Sequence, residues 1–327
     1  MSFREHLSRV ATRAAAGLLA AVALASCGGG TYQVNSFAPE RILSFGDEGS
    51  VLVPPQGLKY SINGVSPTTD LVDCSLLPLW NQVLATSFGM TYEECNPEAV
   101  ASPTAFNFSA PNATIDDVTT QVNAFLSGDS FSGKDLVTIW VGLHDILEIY
   151  AEGGTGGDNS QLILQARARG EQLAGLVNTI VGLGAKVLVL TIPDMGQSPF
   201  AYNEQNAHGD FNRVQLLSDM SNNFNRAMRS TVINDGSKVG LVLPDDYVNS
   251  ATRSPGSFGY ASDAAITAGC LDTAPLPTCN ENTLVVDPVT NTSTTTLFLW
   301  ADPTHLGPTA HNSIGQQANS RAHSNPF

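Results

Sequence analysis

Four short apolar runs, Arg41–Phe45, Asp135–Val141, Ala185–Ile192 and Val239–Leu243, alternate with longer amphipathic stretches. No other feature constrains the fold as much, because this rhythm is the pattern of a parallel sheet covered by helices. The predicted helices are Leu77–Phe88, Ile115–Leu126, Gln161–Leu183 and Asn212–Asn234, with a last one from Pro308 to about Ala322. Gly184 stands where a helix C-terminal cap belongs. The expected fold class is α/β, with a central parallel sheet covered by helices.

Two stretches break the rhythm. Residues 50–73 mix Gly and Pro with alternating Val, Leu, Tyr and Ile, which reads as a small hairpin inserted after the first strand. Residues 258–296 are rich in Gly, Pro, Asn and Thr. Both sit beside strand C-terminal ends, where open α/β sheets place their ligand sites. Without an internal repeat, the body reads as one domain over residues 39–322, followed by a short tail, 323–327.

At the N-terminus, Arg4, Arg9 and Arg13 precede an uncharged stretch, Ala14–Ala25, too short to serve comfortably as a permanent membrane span. Residues 1–26 therefore read as a secretory signal. Leu24-Ala25-Ser26-Cys27 resembles the lipobox of bacterial lipoproteins, in which the Cys is lipidated and becomes the mature N-terminus. Ordinary cleavage that leaves Cys27 free is the alternative. With lipidation, residues 27–38 form a flexible tether and the domain sits at the bacterial cell envelope, joined to a membrane through its N-terminal lipid.

Composition matters at two points. With 42% hydrophobic and only 14% charged residues, the chain can build a sizeable core and is unlike a disordered sequence. The net charge is −15, and beyond the leader 12 Lys and Arg face 29 Asp and Glu, a balance of −17 that repels phosphate backbones and argues against a nucleic-acid partner.

Setting Cys27 aside leaves Cys74, Cys95, Cys270 and Cys279. An even count in an exported protein favours two disulfides, and nearness in sequence selects Cys74–Cys95 and Cys270–Cys279 among three connectivities. No Cys-x-x-Cys spacing occurs and no His lies close to these residues, so neither a metal nor another cofactor is expected.

The chemical signal lies near the end of the chain. Leu297-Phe298-Leu299-Trp300-Ala301-Asp302-Pro303-Thr304-His305 closes an apolar run with Asp302 and His305 three positions apart. An Asp in that position can orient and polarise an imidazole for general-base work. The segment that should supply the nucleophile reads Phe45-Gly46-Asp47-Glu48-Gly49-Ser50, with a carboxylate where a hydroxyl is expected.

Taken together, these blocks resemble the SGNH, or GDSL, ester hydrolases. Arg41-Ile42-Leu43-Ser44-Phe45-Gly46-Asp47 is similar to the family's first block, Trp140-Val141-Gly142-Leu143-His144-Asp145 to its Gly-x-Asn-Asp block, and Asp302-Pro303-Thr304-His305 to its last. Leu183-Gly184-Ala185-Lys186 followed by Ile192-Pro193-Asp194-Met195-Gly196 is similar to a segment of the lipase-like branch. The likeness runs in order along nearly all of the domain.

The resemblance implies a three-layer α/β/α sandwich around the central parallel sheet that hydrolyses esters of lipids, aryl alcohols or acetylated sugars. A Ser attacks the carbonyl, a His takes its proton, an Asp fixes the His, and a backbone N–H, a Gly N–H and an Asn amide stabilise the oxyanion. Asp302 and His305 match. Glu48 occupies the nucleophile position, and Ser50 aligns with a second Ser two places later, a poor substitute unless the turn is rebuilt. His144 stands in place of the oxyanion Asn, two residues after Gly142. Asn107-Phe108-Ser109-Ala110-Pro111-Asn112-Ala113 resembles the glycine-bearing block, with Pro111, which has no N–H, and Asn112 in place of the two glycines.

Three roles are open to Glu48: a nucleophile that would form a mixed anhydride, a general base on water, or a carboxylate that pairs with protonated His305 and quenches it. His144 either donates one N–H to an oxyanion or caps the helix after Gly142. Asp47 and Asp145 read as caps of the helices that begin beside them. His311 reads as a packing or capping residue on the last helix, His208 and His323 as solvated, and Trp80 and Trp140 as core. Two function classes follow. One is an ester hydrolase with an atypical site acting on a small ester, lipid or glycan. The other is a catalytically degenerate lipoprotein that binds an acylated lipid, polyester or glycan in the same cleft.

Overall fold

The computed structural model describes residues 37–153, 159–287 and 291–324. The leader, Cys27 and nearly all of the tether lie outside the described residues. Five parallel strands form the central sheet: β1 (Arg41–Gly46), β4 (Ala105–Asn107), β5 (Asp135–Trp140), β6 (Lys186–Leu190) and β7 (Val239–Val242). The two-residue strands β2 (Leu52–Val53) and β3 (Leu58–Lys59) pair antiparallel as the expected hairpin.

The sheet order is β4-β1-β5-β6-β7. β1 pairs with β4 on one side and β5 on the other, Arg41 opposite Asp135 and Gly46 opposite Trp140. Successive strands of the sheet thus move one way from β1 to β4 and the other way from β5 onward. The reversal leaves a crevice beyond the C-terminal ends of β1 and β5, where ligands bind in open sheets of this type.

β5 is buried at every position, as a central strand covered on both faces must be. The helix Asn159–Gly182 packs along Arg213–Thr231, and Pro308–Ala322 packs along Trp80–Ser87, giving the helical layers that complete the sandwich. Its large buried side chains include Trp80, Phe45, Phe224, Ile42 and Leu43. Among the described residues, no helix is long and apolar enough to cross a membrane.

The expected strands and long helices occur with boundaries shifted by a few residues. The first helix begins at Trp80 rather than Leu77, because Leu77 has a φ of +49° and Pro78 follows it. The sequence reading assigned no strand to Ala105–Asn107 and no helix to Pro199–Ala207 or Pro244–Arg253. A three-residue edge strand carries too little pattern to stand out from a loop.

Both disulfides join the expected cysteines, Cys74–Cys95 and Cys270–Cys279. The second helps build a small separate core, in which Ile62, Leu284, Phe298 and Ala301 surround Cys270 and Cys279. Asn63 ties this core to the hairpin region by donating its side-chain amide to the carbonyls of Pro277 and Cys279, each at 2.9 Å. The N–H groups of Gly269 and Cys270 donate to Trp300 O and Ala301 O, which fastens this part of the loop beside the segment that leads into Asp302.

Candidate functional site

The first wall of the site grows from the end of β1. Gly46 lies against β5 so closely that a Cβ would stand 2.1 Å from the Trp140 carbonyl oxygen. Gly49 sits under the Trp140 ring, where a Cβ would be 2.8 Å from Cε3. Between these glycines the chain makes a tight turn: the Asp47 N–H donates to Trp140 O at 3.0 Å, and the Asp47 carboxylate accepts the Gly49 N–H at 3.0 Å. Asp47 is a cap, as the sequence suggested, and the turn aims Glu48 into the crevice.

Glu48 is 2% exposed. One of its oxygens accepts the Asn112 backbone N–H, and the other pairs with His144 Nε2 at 2.8 Å. Asn112 reaches it because the chain after β4 continues along β1, with the N–H groups of Phe108 and Ala110 donating to Ser44 O and Gly46 O. Asn112 itself has a φ of +59°, a left-handed conformation that Asn tolerates. His144 arrives in the first turn of the helix Leu143–Gly153, which follows β5 through Gly142. Gly142 has a φ of +127°, and a Cβ there would meet the Phe224 ring at 2.5 Å.

Burial by itself raises the Glu48 carboxyl, but the bond and charge of His144 and the Asn112 N–H outweigh it and hold the group below its usual value. The partner moves oppositely: burial lowers His144, and the bond to Glu48 more than offsets that. Each shift favours the charged form of its group, and the carboxylate occupies the Asn112 N–H and His144, two of the groups that the resemblance offers to an oxyanion.

The second wall is the turn before the last helix. The Asp302 carboxylate accepts the backbone N–H groups of Thr304 at 2.8 Å and His305 at 2.7 Å, and lies 2.8 and 2.9 Å from His305 Nδ1. Two further bonds anchor this turn: Phe200 N–H donates to Pro303 O at 3.0 Å, and Ala301 N–H to His305 O at 2.7 Å. Burial lowers the His305 imidazole, but Asp302 raises it further, so the ring stays above its usual value. His305 Nε2 is buried and has no hydrogen-bond partner.

The two walls meet. A carboxylate oxygen of Glu48, a ring nitrogen of His144 and a ring nitrogen of His305 all lie within 4.8 Å of one another. Because Asp302 holds Nδ1, the nitrogen that His305 has to offer is Nε2. A cavity of about 30 Å³ opens beside it, lined by Asp47, Tyr60, Trp140, Ile192, His305 and His311 among others. It has room for about two waters.

Ser50 does not join the constellation. It is fully buried, and its hydroxyl accepts Trp80 Nε1–H at 3.3 Å. Its carbonyl accepts side-chain amides from Asn81 at 2.9 Å and Asn107 at 2.7 Å. The hydroxyl faces the core, and His305 Nε2 receives no bond from it. Asp145 also departs from expectation: it accepts the Ile115 N–H at 3.1 Å and so caps the neighbouring helix rather than its own. Sequence reasoning gave Tyr60 no role, yet its ring lies 5.9 Å from that of His305. His311 is buried against Trp140, a packing role, but its Nδ1 has no partner at the cavity wall.

A parallel sheet in this order, with an Asp-oriented His at the strand ends, defines a hydrolase-type α/β cleft. The family model of the GDSL-like lipase/acylhydrolases matches residues 48–315, and the chain belongs to that family. The match spans Glu48, His144, Asp302 and His305. A phosphatidylcholine-sterol acyltransferase of Aeromonas hydrophila is 30% identical over 135 residues, covering 39% of this chain and 37% of the relative, so this chain matches well under half of that protein. Among solved structures, a lipase from a goat rumen metagenome is 12% identical, with a TM-score of 0.49 over 87% of this chain and 98% of that one. An acetylxylan esterase from Geobacillus stearothermophilus is 10% identical, with a TM-score of 0.46 over 88% of this chain and 96% of that one.

Proposed function

We propose that this protein hydrolyses a carboxylic ester by direct attack of water, without an acyl-serine intermediate. One observation carries the proposal: His305 Nε2 is buried, partnerless, backed by Asp302, and faces a carboxylate instead of a hydroxyl. Nε2 takes a proton from a water in the cleft as its oxygen bonds to the acyl carbon, and the tetrahedral intermediate then breaks its bond to the alkoxy oxygen, which receives the proton back from Nε2, giving acid and alcohol. Asp302 stabilises the imidazolium, as the buried Asp of a catalytic triad does. Glu48 helps to hold the water opposite His305. The family supports an acyl ester as the substrate class, and the small cavity beside His305 supports a compact acyl group.

A second reading rests on its own observation. Glu48 already holds the Asn112 N–H and His144, so no such donor remains for an oxyanion, and losing one donor costs on the order of 10²–10³ in rate. On that reading the cleft binds an acylated lipid, polyester or glycan without turnover.

A single assay separates them. The hydrolase reading expects p-nitrophenyl acetate turnover that resists fluorophosphonates, shows no burst and disappears in His305→Ala. Fluorophosphonate labelling of Ser50 in the native protein would overturn it. Ligand-dependent stabilisation with no turnover would favour the binding reading, and Glu48→Ser would then be expected to create a fluorophosphonate-reactive esterase. The same proposal includes a lipid on Cys27 that holds the domain at a bacterial envelope membrane, supported by Leu24-Ala25-Ser26-Cys27. Its check is palmitate incorporation that is lost in Cys27→Ser.

A further inference from the structure

We infer that Glu48, His144 and His305 form a binding site for one divalent transition-metal ion, with zinc the best match. The inference rests on the proposed ester chemistry for its substrate, but the metal site stands on geometry alone.

The donor set is two imidazoles and one carboxylate, the combination that leaves a fourth position open for water or substrate in catalytic zinc sites. The three donor atoms lie within 4.8 Å of one another. Tetrahedral zinc needs donors about 3.4 Å apart, so the widest contact, at most 4.8 Å, must close by up to about 1.4 Å. His144 Nε2 and Glu48, hydrogen-bonded at 2.8 Å, must part by about 0.6 Å, the metal ion displacing the proton they share.

The outer contacts are those of a built site. Metal-bound His residues commonly donate their other ring N–H to a carboxylate, and metal-bound carboxylates commonly accept hydrogen bonds. Here Asp302 holds His305 Nδ1 at 2.8 Å, which leaves Nε2 as the donor, and the Asn112 N–H holds the far oxygen of Glu48. The buried Nε2, which has no protein partner, gains one in the metal. Each imidazole is in contact with a carboxylate, His144 with Glu48 and His305 with Asp302, a balance suited to a cation.

A bound cation also supplies what the chain has lost. It polarises the ester carbonyl in place of the donors that Glu48 occupies, and it acidifies a bound water in place of the missing serine. With the ion bound, His305 Nε2 is a ligand and the metal-bound water takes the place of the water that Nε2 activates in the metal-free protein. The bound water loses a proton to solvent, and the hydroxide oxygen forms a bond to the acyl carbon. The bond from acyl carbon to alkoxy oxygen breaks, and the leaving alkoxide takes a proton from solvent. No electrons are transferred.

The test uses the intact protein, stripped with a chelator and titrated with Zn²⁺ or Co²⁺ by calorimetry, visible absorption and thermal shift. One ion per chain is expected, with a tetrahedral Co²⁺ spectrum. Binding should be lost in Glu48→Gln and His144→Ala, and Asp302→Asn, which leaves every ligand in place, should weaken it about 10- to 100-fold. Circular dichroism and melting confirm that each variant is folded. No binding at about millimolar metal, or equal binding in all variants, overturns the site. Hydrolysis that persists in the stripped, metal-free protein, without such binding, rejects the metal and leaves the water-attack reading intact. Stoichiometric metal without ester turnover keeps the site and rejects the ester reading.

Discussion

The two walls of the cleft differ in how far they depart from the family pattern. The Asp302–His305 wall keeps the orienting carboxylate, the imidazole and the partnerless Nε2 that the resemblance assigns to a base. The Glu48 wall keeps the backbone turn but reverses its electrostatics, because a buried anion now satisfies the Asn112 N–H and His144 that the resemblance assigned to a transient oxyanion. A proton acceptor therefore faces a permanent charge. A buried carboxylate at this position is tolerated because both of its oxygens find partners.

The strongest challenge to this contrast is His305→Ala. Positioned general bases contribute about 10²–10⁴ in rate, so ester turnover should fall by that factor with little change in melting temperature. Unchanged turnover would mean that the retained wall does no chemistry.

Gly46→Ala tests the other wall through its backbone. The added Cβ meets the Trp140 carbonyl at 2.1 Å, and a backbone oxygen within a paired strand cannot move aside. Overpacking of this kind should cost about 3 kcal/mol in chemical denaturation.

The third prediction concerns the floor of the cleft. His311 is fully buried, and burial pushes its imidazole down to about 3, so the folded state keeps it neutral where the unfolded state takes up a proton. Below its ordinary value of 6.5 the unfolded chain binds more protons, so stability falls as pH drops from 6.5 toward 3. Between pH 7 and 5 the loss should be about 2 kcal/mol, and His311→Gln should remove that component from a pH series of denaturant melts.

The smallest effect sharpens the contrast most directly. Ser50→Ala should lower stability by about 1 kcal/mol, because Trp80 Nε1–H loses its acceptor, and should leave ester turnover within about twofold. A large loss of turnover would return Ser50 to the active site.

Much of the fold was legible in the residues. The runs at Ile42–Phe45 and Leu136–Ile139 are apolar enough to demand burial on both faces, and Pro308 marks the start of the last helix. β4 was not legible, because its three residues acquire strand character only through pairing with β1. Asp302 and His305 could be read as a pair because one short turn holds both. Neither Ser50's inward hydroxyl nor Asp145's cap on a neighbouring helix could be read, since each depends on a partner brought close only by packing.

The sequence by itself determined a parallel sheet covered by helices, two local disulfides and an Asp and a His in one short turn, because apolar periodicity, cysteine proximity and residue spacing are properties of local sequence. Only the tertiary structure decided what the Glu48 carboxylate does. Glu48, Asn112, His144 and His305 come from four separate segments of the chain, and their mutual distances are set by the reversal of strand order between β1 and β5. Hydrogen bonds and metal coordination act over about 2–3 Å, a scale that spacing along the chain does not specify.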